Sequence, residues 1–305
     1  MMMRSILISL SQNSSLRKLL EQTRPGRKLS GRFVAGTTLD DAVRVTETLN
    51  AEGFSVSLDS LGESVRTAAG ARAAAEIYHL LLDRIAGKSL NANVSVKLTG
   101  VGLDVSAGLG EQVTGEIVEH AARLGNFVRI DMEGTPYTEV TLKLTEDLHG
   151  RFPGAVGTVL QSYLYRTKDD AERLLGQGIR IRLCKGAYKE GPEHAFPSKA
   201  DVDGSYVTLA ERMVASDVYC GMATHDEKMI AAVERFVKER GIARDRFEFQ
   251  MLYGVRRDLQ RELLGRGYGV RVYLPFGTDW FPYFMRRLAE RPANVIFILK
   301  NLFKS

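Results

Sequence analysis

Residues 156–184, VGTVLQSYLYRTKDDAERLLGQGIRIRLC, decide the fold. The two ends of this segment, 156–160 and 179–184, are short runs rich in β-branched residues. Between them, 167–176 places Ala and Leu at helical spacing. A strand, a helix and a second strand within so short a compass form a parallel β–α–β unit. The same alternation extends in both directions. Further strand-like runs occur at 32–35, 54–58, 94–97, 127–131, 218–223, 247–251 and 270–274. Stretches of helical period occur at 38–51, 64–86, 111–124, 202–215 and 227–240, the first opened by Thr38 with Asp40 and Asp41 in its first turn.

These nine strand-like runs are one more than a (β/α)8 barrel needs. The spare is 32–35, which is short and lies before the first complete unit. The expected fold is therefore α/β, a (β/α)8 barrel forming one domain over 1–305. The barrel occupies about 54–305 and follows an N-terminal extension, 1–30, in which 5–20 reads as a partly amphipathic lead-in. A doubly wound dinucleotide fold would need a G-x-G-x-x-G turn after a strand. The nearest candidate, Gly100-Val101-Gly102, has Val105 where the third glycine belongs, and there is no Walker loop.

Composition narrows the function classes. With 305 residues and 44% hydrophobic content the chain can bury a large core without disulfides, and its two cysteines, Cys184 and Cys220, lack C-x-x-C spacing. Arg4 and the short apolar run 6–10 do not make a secretory signal, and no run approaches the roughly 20 apolar residues of a membrane span. These features point to a cytoplasmic protein. The net charge is +5, but Lys and Arg alternate with Asp and Glu and form no basic stripe, so no nucleic-acid partner is expected. The five histidines (His79, His120, His149, His194 and His225) show no metal-ligand spacing, and no metal site is expected.

In a barrel of this kind chemistry sits at the C-terminal ends of the strands. Six of those ends carry polar groups: Lys97, Asp131, Gln161, Arg182 with Lys185, Thr224-His225-Asp226, and Tyr273. Singly, each has a plainer reading as a solvated charge, a helix cap or a structural ion pair. Together on one rim they would be costly to bury without a polar ligand or each other. The turn Lys185-Gly186-Ala187 suits an anion, because a glycine lets backbone N–H groups approach it. The last helical stretch places Tyr283, Arg286, Arg287 and Glu290 at i, i+3, i+4 and i+7, on one face. Its adjacent arginines suit a carboxylate, and Glu290 can pair with one of them as a gate when no ligand is bound. An amphipathic surface helix laced with ion pairs is the plainer alternative.

Taken in order, Val96-Lys97-Leu98, Gln161-Ser162-Tyr163, the run from Arg182 through Lys185-Gly186-Ala187 to Tyr188, Ala223-Thr224-His225-Asp226, and Tyr283 with Arg286, Arg287 and Glu290 resemble proline dehydrogenase, of the monofunctional bacterial type. The resemblance covers roughly 32–301. It implies an FAD-dependent oxidation of L-proline to Δ1-pyrroline-5-carboxylate, by hydride transfer from proline C5 to flavin N5. It implies that Met132, Gln161, Arg182, Lys185, Gly186, Ala187, Thr224 and His225 hold the cofactor, with Arg182 near N5. Lys97, Arg286 and Arg287 would hold the proline carboxylate, Tyr273 and Tyr283 would shape the pocket, and Asp131 would orient the charged cluster. The last helix would lie over the barrel mouth. The chain departs from bifunctional relatives at Lys189, where those often carry an aromatic, so packing at the adenine end differs.

Further partners implied are a quinone electron acceptor, which brings peripheral contact with the inner face of the cell membrane, and a separate pyrroline-5-carboxylate dehydrogenase. The apolar run 295–299 is a candidate for that contact, with core packing as its plainer reading. Two rivals remain at this stage. One is a Schiff-base barrel using Lys97 or Lys185 as nucleophile. The other is a non-enzymatic basic ligand- or nucleic-acid-binding barrel.

Overall fold

The computed structural model describes residues 23, 31–62 and 65–290, with backbone alone for 286–290. The N-terminal extension apart from Thr23, and the apolar run 295–299, lie outside the described residues.

Eight strands close into a parallel barrel in sequence order. They are β1 (Ser55–Ser60), β2 (Ala92–Val96), β3 (Val128–Ile130), β4 (Val156–Gln161), β5 (Arg180–Cys184), β6 (Cys220–Ala223), β7 (Phe247–Leu252) and β8 (Gly269–Phe276). Nine helices are described: α1 (Leu39–Ala51), α2 (Ala68–Gly87), α3 (Ala107–Arg123), α4 (Thr135–Arg151), α5 (Thr167–Gly176), α6 (Lys199–Val214), α7 (Glu227–Arg240), α8 (Arg257–Gly265) and α9 (Trp280–Glu290). The spare run 32–35 is not a strand. It is a turn whose Ala35 N–H donates to the Pro275 carbonyl at 2.9 Å, so it docks beside the end of β8.

Helix starts follow local chemistry. Thr38 caps α1 in a reciprocal box with Asp41, while Thr67, Ser106, Ser198 and Asp226 cap α2, α3, α6 and α7. These caps explain why α2 begins at Ala68 rather than at residue 64, and why α3 and α6 begin earlier than periodicity suggests. Helix α4 was not legible as a helix, because Thr135, Thr138, Thr141 and Thr145 give it a strand-like composition.

Pairing register divides the sheet into two faces. Val56, Leu58, Val94, Val128, Ile130, Ile181, Leu183, Met222, Phe249, Val272 and Leu274 are fully or nearly fully buried and join one continuous core with the helices. The opposite set comprises Ser57, Asp59, Asn93, Ser95, Arg129, Gly157, Arg182, Gly221, Glu248, Gln250, Arg271 and Tyr273, paired with one another across successive strands. This second set faces the lumen, since Arg182 on β5 reaches Ser57 on β1, and Arg271 on β8 reaches Asn93 on β2. Barrel lumens are ordinarily filled by branched apolar side chains. Here the lumen is polar and charged.

Long side chains fit because small residues face them. A Cβ on Gly157 would stand 2.2 Å from the Arg180 carbonyl oxygen, and one on Gly221 would stand 2.3 Å from Gln250 Nε2. Gly157→Ala should therefore lower the unfolding free energy by about 1–3 kcal/mol through overpacking. Gly176→Ala, where a Cβ meets nothing within 4 Å, should be neutral or stabilising. Urea midpoints read the difference, and equal midpoints for the two variants would contradict this account of the lumen.

Candidate active site

At the C-terminal mouth the upper lumen residues form one hydrogen-bonded ionic cluster. Lys97, immediately after β2, donates to both oxygens of Asp59 at 3.0 and 3.1 Å and to Tyr273 Oη at 3.1 Å, and lies 3.4 Å from Asp131 Oδ2. Asp131, immediately after β3, accepts from Ser95 Oγ at 2.8 Å, from Tyr273 Oη at 2.7 Å and from Arg182 Nη1 at 2.8 Å. Arg182 also donates through Nε to Gln250 Oε1, and through Nη2 to Ser57 and Ser95 at 3.3 and 3.2 Å. Its guanidinium carbon stands 5.1 Å from the centre of the Tyr273 ring.

Burial sets the electrostatics. It pushes the Asp59 carboxyl up, an effect that Lys97 opposes and neighbouring Asp131 reinforces, and the net direction is upward. Burial also works against an ionised Asp131, but Lys97 and Arg182 outweigh it, helped by the Tyr273 and Ser95 hydrogen bonds, and its carboxyl is held below the usual range. Burial disfavours the Lys97 ammonium, yet Asp59, Tyr273 and Asp131 together raise its pKa well above the ordinary lysine value. Two adjacent carboxyls thus have environments that push them apart, the pattern by which sites assign one group to hold a proton and the other to stay charged.

The second group lies on the β4–β6 arc of the rim. Lys185 Nζ sits 2.8 Å from Asp226 and 2.6 Å from Asp203, so its charge is shared with two carboxylates. Asp226 receives the Lys228 N–H at 3.0 Å as the cap of α7, and its own N–H reaches Thr224 Oγ1 at 3.0 Å. His225 Nε2 accepts the Leu252 N–H at 2.9 Å, which leaves its ring proton on Nδ1. Gln161 donates to the Glu133 carbonyl at 3.0 Å beside buried Met132. Gly186 has φ +109, and a Cβ there would strike the Tyr163 ring, so this turn requires glycine. Ala187 and Tyr188 are exposed beyond it.

Of the residues expected from sequence, Lys97, Asp131, Arg182 and Tyr273 thus meet in one cluster, and Lys185, Thr224 and His225 share the neighbouring arc. Tyr283 is buried in an apolar group with Phe33, Val34, Phe284 and Met285, against Leu61 and Leu252 beyond β1 and at the end of β7. That packing lays α9 over the mouth. The side chains of Arg286, Arg287 and Glu290 lie outside the described residues.

Asp59 and Gln250 were missed. Ending the first strand at Leu58 hid Asp59, although extending the alternation Ser55, Ser57 by one step points it into the lumen. Gln250 sits mid-strand, where only the lumen's polarity makes it significant. Among the described residues no three His, Cys, Asp or Glu side chains could hold a metal ion, and no helix is long and apolar enough to cross a membrane.

A family model described as proline dehydrogenase matches residues 42–300. The chain is 40% identical over 304 residues to proline dehydrogenase 2 of Bacillus subtilis (strain 168), covering 100% of each. It is 41% identical over 280 residues to the proline dehydrogenase of Deinococcus radiodurans, covering 90% of each. Proline utilization A from Bdellovibrio bacteriovorus, inactivated by N-propargylglycine, superposes with a TM-score of 0.80 at 23% identity. That match covers 86% of this chain and 32% of the other, and it shows the shared fold.

The two carboxyls should be separable by pH. Asp131, held low, contributes stability that is complete above the ordinary value of 3.8 and lost as pH falls through its folded value. Asp59, held high, contributes stability that is complete below 3.8 and lost as pH rises through its folded value. Asp131→Asn should cost about 3–5 kcal/mol at neutral pH by leaving Arg182 and Lys97 short of an anion. Asp59→Asn should instead flatten the decline in stability as pH rises above 3.8. Urea midpoints across pH measure both, and identical profiles for the two variants would refute the assignment.

Proposed function

The chain belongs to the proline dehydrogenase family, and from that premise we propose that this enzyme of proline oxidation is FAD-dependent and converts L-proline to Δ1-pyrroline-5-carboxylate at the C-terminal mouth of its barrel. The observation that carries the reading is the division of that mouth. A cation and a phenol suited to a zwitterionic amino acid, Lys97 after β2 and Tyr273 on β8, stand together with the Asp59 carboxyl of β1. A donor set suited to a dinucleotide lies on the neighbouring arc, β3 to β6.

The arc fits FAD by its donor chemistry. Arg182 and Gln161 would hold the flavin ring system beside Met132, while Lys185 and the Gly186-Ala187 turn, with Thr224 and His225, would hold the pyrophosphate and ribityl chain. When bound, FAD supplies the acceptor for the hydride that leaves proline C5. The remaining work belongs to the chain. Lys97, with Arg286 and Arg287, holds the substrate carboxylate and so fixes which ring carbon faces the acceptor. Tyr273, anchored by Asp131, walls the ring and keeps water from the reacting carbon. The reacting amine must be neutral so that its lone pair can stabilise the developing iminium, and the cations around it disfavour its protonated form.

Asp59 is the group in this cluster suited to holding a proton. A substrate carboxylate that draws Lys97 away removes the charge that keeps Asp59 ionised, so substrate binding and Asp59 protonation favour one another. Electron transfer onward to a quinone, with peripheral contact at the inner face of the cell membrane, and hand-over of the product to a separate pyrroline-5-carboxylate dehydrogenase complete the reading. They rest on the family resemblance.

The purified protein should show a flavin absorption spectrum that bleaches when L-proline is added without oxygen. Lys97→Gln should keep the flavin and raise KM for L-proline about 10–100-fold, the loss of a charge-assisted contact. A colourless protein that stays inactive after FAD is supplied would sink the proposal, as would a flavin indifferent to proline.

A further inference from the structure

The opposite mouth of the barrel carries a buried charge without an ion-pair partner among the described residues. A cavity of about 320 Å³ opens at the N-terminal ends of the strands, with Arg129, Arg180, Arg271, Glu248 and Asn126 in its wall. Arg129 is only 5% exposed. Its Nη1 donates to the carbonyl oxygens of Thr158 and Arg180 at 2.7 and 2.6 Å. Among the described residues its other guanidinium nitrogens meet no acceptor, and it has no ion pair. Arg180, exposed at the rim, has no ion pair among the described residues either. Both guanidiniums stand over the ring of Phe127, at 4.7 and 5.3 Å from its centre.

The one carboxylate in the wall is already engaged. Glu248 accepts from Arg271 Nε at 2.6 Å, from Gln250 Nε2 at 2.6 Å and from Tyr219 Oη at 3.2 Å. Arg271 is committed to that pair, to Asn93 and to the Val56 carbonyl. Arg129 is thus a buried cation at a cavity with donors that no carboxylate among the described residues meets, Glu248 in the same wall being engaged elsewhere. Burial, with nearby Arg182 adding repulsion that the Glu248 carboxylate offsets only in part, brings its pKa down to about 9, the direction expected of a guanidinium without a paired counter-ion.

We propose that the N-terminal mouth of the barrel is a binding site for a small tetrahedral oxyanion of the inorganic phosphate class, held between Arg129 and Arg180. A guanidinium fork presents parallel N–H groups at the spacing of two oxyanion oxygens, and Arg129 and Arg180 both line this cavity. The site lies below the Lys97 cluster. It communicates with it through the chain Arg271–Glu248–Gln250–Arg182, every link of which is a side-chain hydrogen bond. The proposal does not depend on the flavin reading.

Calorimetric titration of inorganic phosphate into the full-length protein, at constant ionic strength, tests it. One saturable site is expected. Arg180→Gln, a change at the exposed rim, should weaken it at least tenfold while leaving the melting temperature in phosphate-free buffer unchanged. Phosphate should also raise the melting temperature of the parent protein in a saturable way, and much less that of Arg180→Gln. Arg129→Gln should abolish binding, and since it alters a buried group the Arg180 variant carries the decision. Absence of a saturable signal overturns the proposal. Binding of full strength in Arg180→Gln, as expected of phosphate held near Lys185 at the other mouth, overturns it equally.

Discussion

A charge in the lumen of a closed barrel has little access to water, so it must find its counter-charge from another strand. That constraint organises this molecule. Asp131 is its centre, taking hydrogen bonds from β2, β5 and β8 through Ser95, Arg182 and Tyr273, while Lys97 links it to Asp59 on β1. The arrangement ties non-adjacent strands across the lumen, which backbone pairing cannot do. It also needs space, and the sheet supplies it with Ser57, Ser95, Gly157 and Gly221 opposite the long side chains. Stability and chemistry are thereby separated by face. The apolar face packs on the helices and drives folding, and the polar face is left to position charge.

The two faces were not equally legible in the sequence. Short β-branched runs alternating with helical periods were enough for the barrel, and even for recognising 32–35 as the spare, because burial between lumen and helices leaves a periodic trace. The strand ends Lys97, Asp131, Arg182 and Tyr273 were legible because charged residues are out of place at the end of an apolar run. Asp59 lay one residue past the end assigned to its strand. Gln250 and Glu248 lay within a strand whose other residues, Phe247, Phe249 and Met251, are apolar, and their alternation looks the same as that of a strand with one solvated face. Only closure of the sheet turns that face into an interior. Helix α4 was hidden by its threonines, several of which turn inward and are buried by neighbouring elements.

Pairing also limits what single residues can do. Lys185 in the sequence is a cation beside a glycine turn, an apparent phosphate ligand. In the fold it lies between Asp203 and Asp226, so its net charge toward a ligand is small and its ammonium is held in place. On the proposed reading such a lysine would position the anion by geometry more than by field, with the backbone of the Gly186 turn sharing the work. Lys97 differs, since in its partner Asp59 burial outweighs the pairing and the carboxyl is pushed up. The Lys97–Asp59 pair can exchange its internal counter-charge for an external one when a proton is available, whereas the Lys185 pairs, with Asp203 and Asp226 both held low, cannot do so near neutral pH.

On the two proposed readings, this asymmetry would suit one end of the barrel to turnover and the other to steady occupancy. At the C-terminal mouth the charges balance internally, and the proposed zwitterionic substrate would enter by displacing Lys97 from Asp59, whose carboxyl burial pushes up. At the N-terminal mouth Glu248 is saturated by Arg271, Gln250 and Tyr219, and Arg129 remains without an anion. An excess buried cation has two ways to lower its free energy, losing its proton or gaining a counter-ion, and the second is far less costly for a guanidinium at neutral pH. A lumen with more guanidinium than carboxylate at one end therefore favours a resident anion there, while the hydrogen-bonded ladder above it keeps Arg182 fixed as the floor of the reactive end.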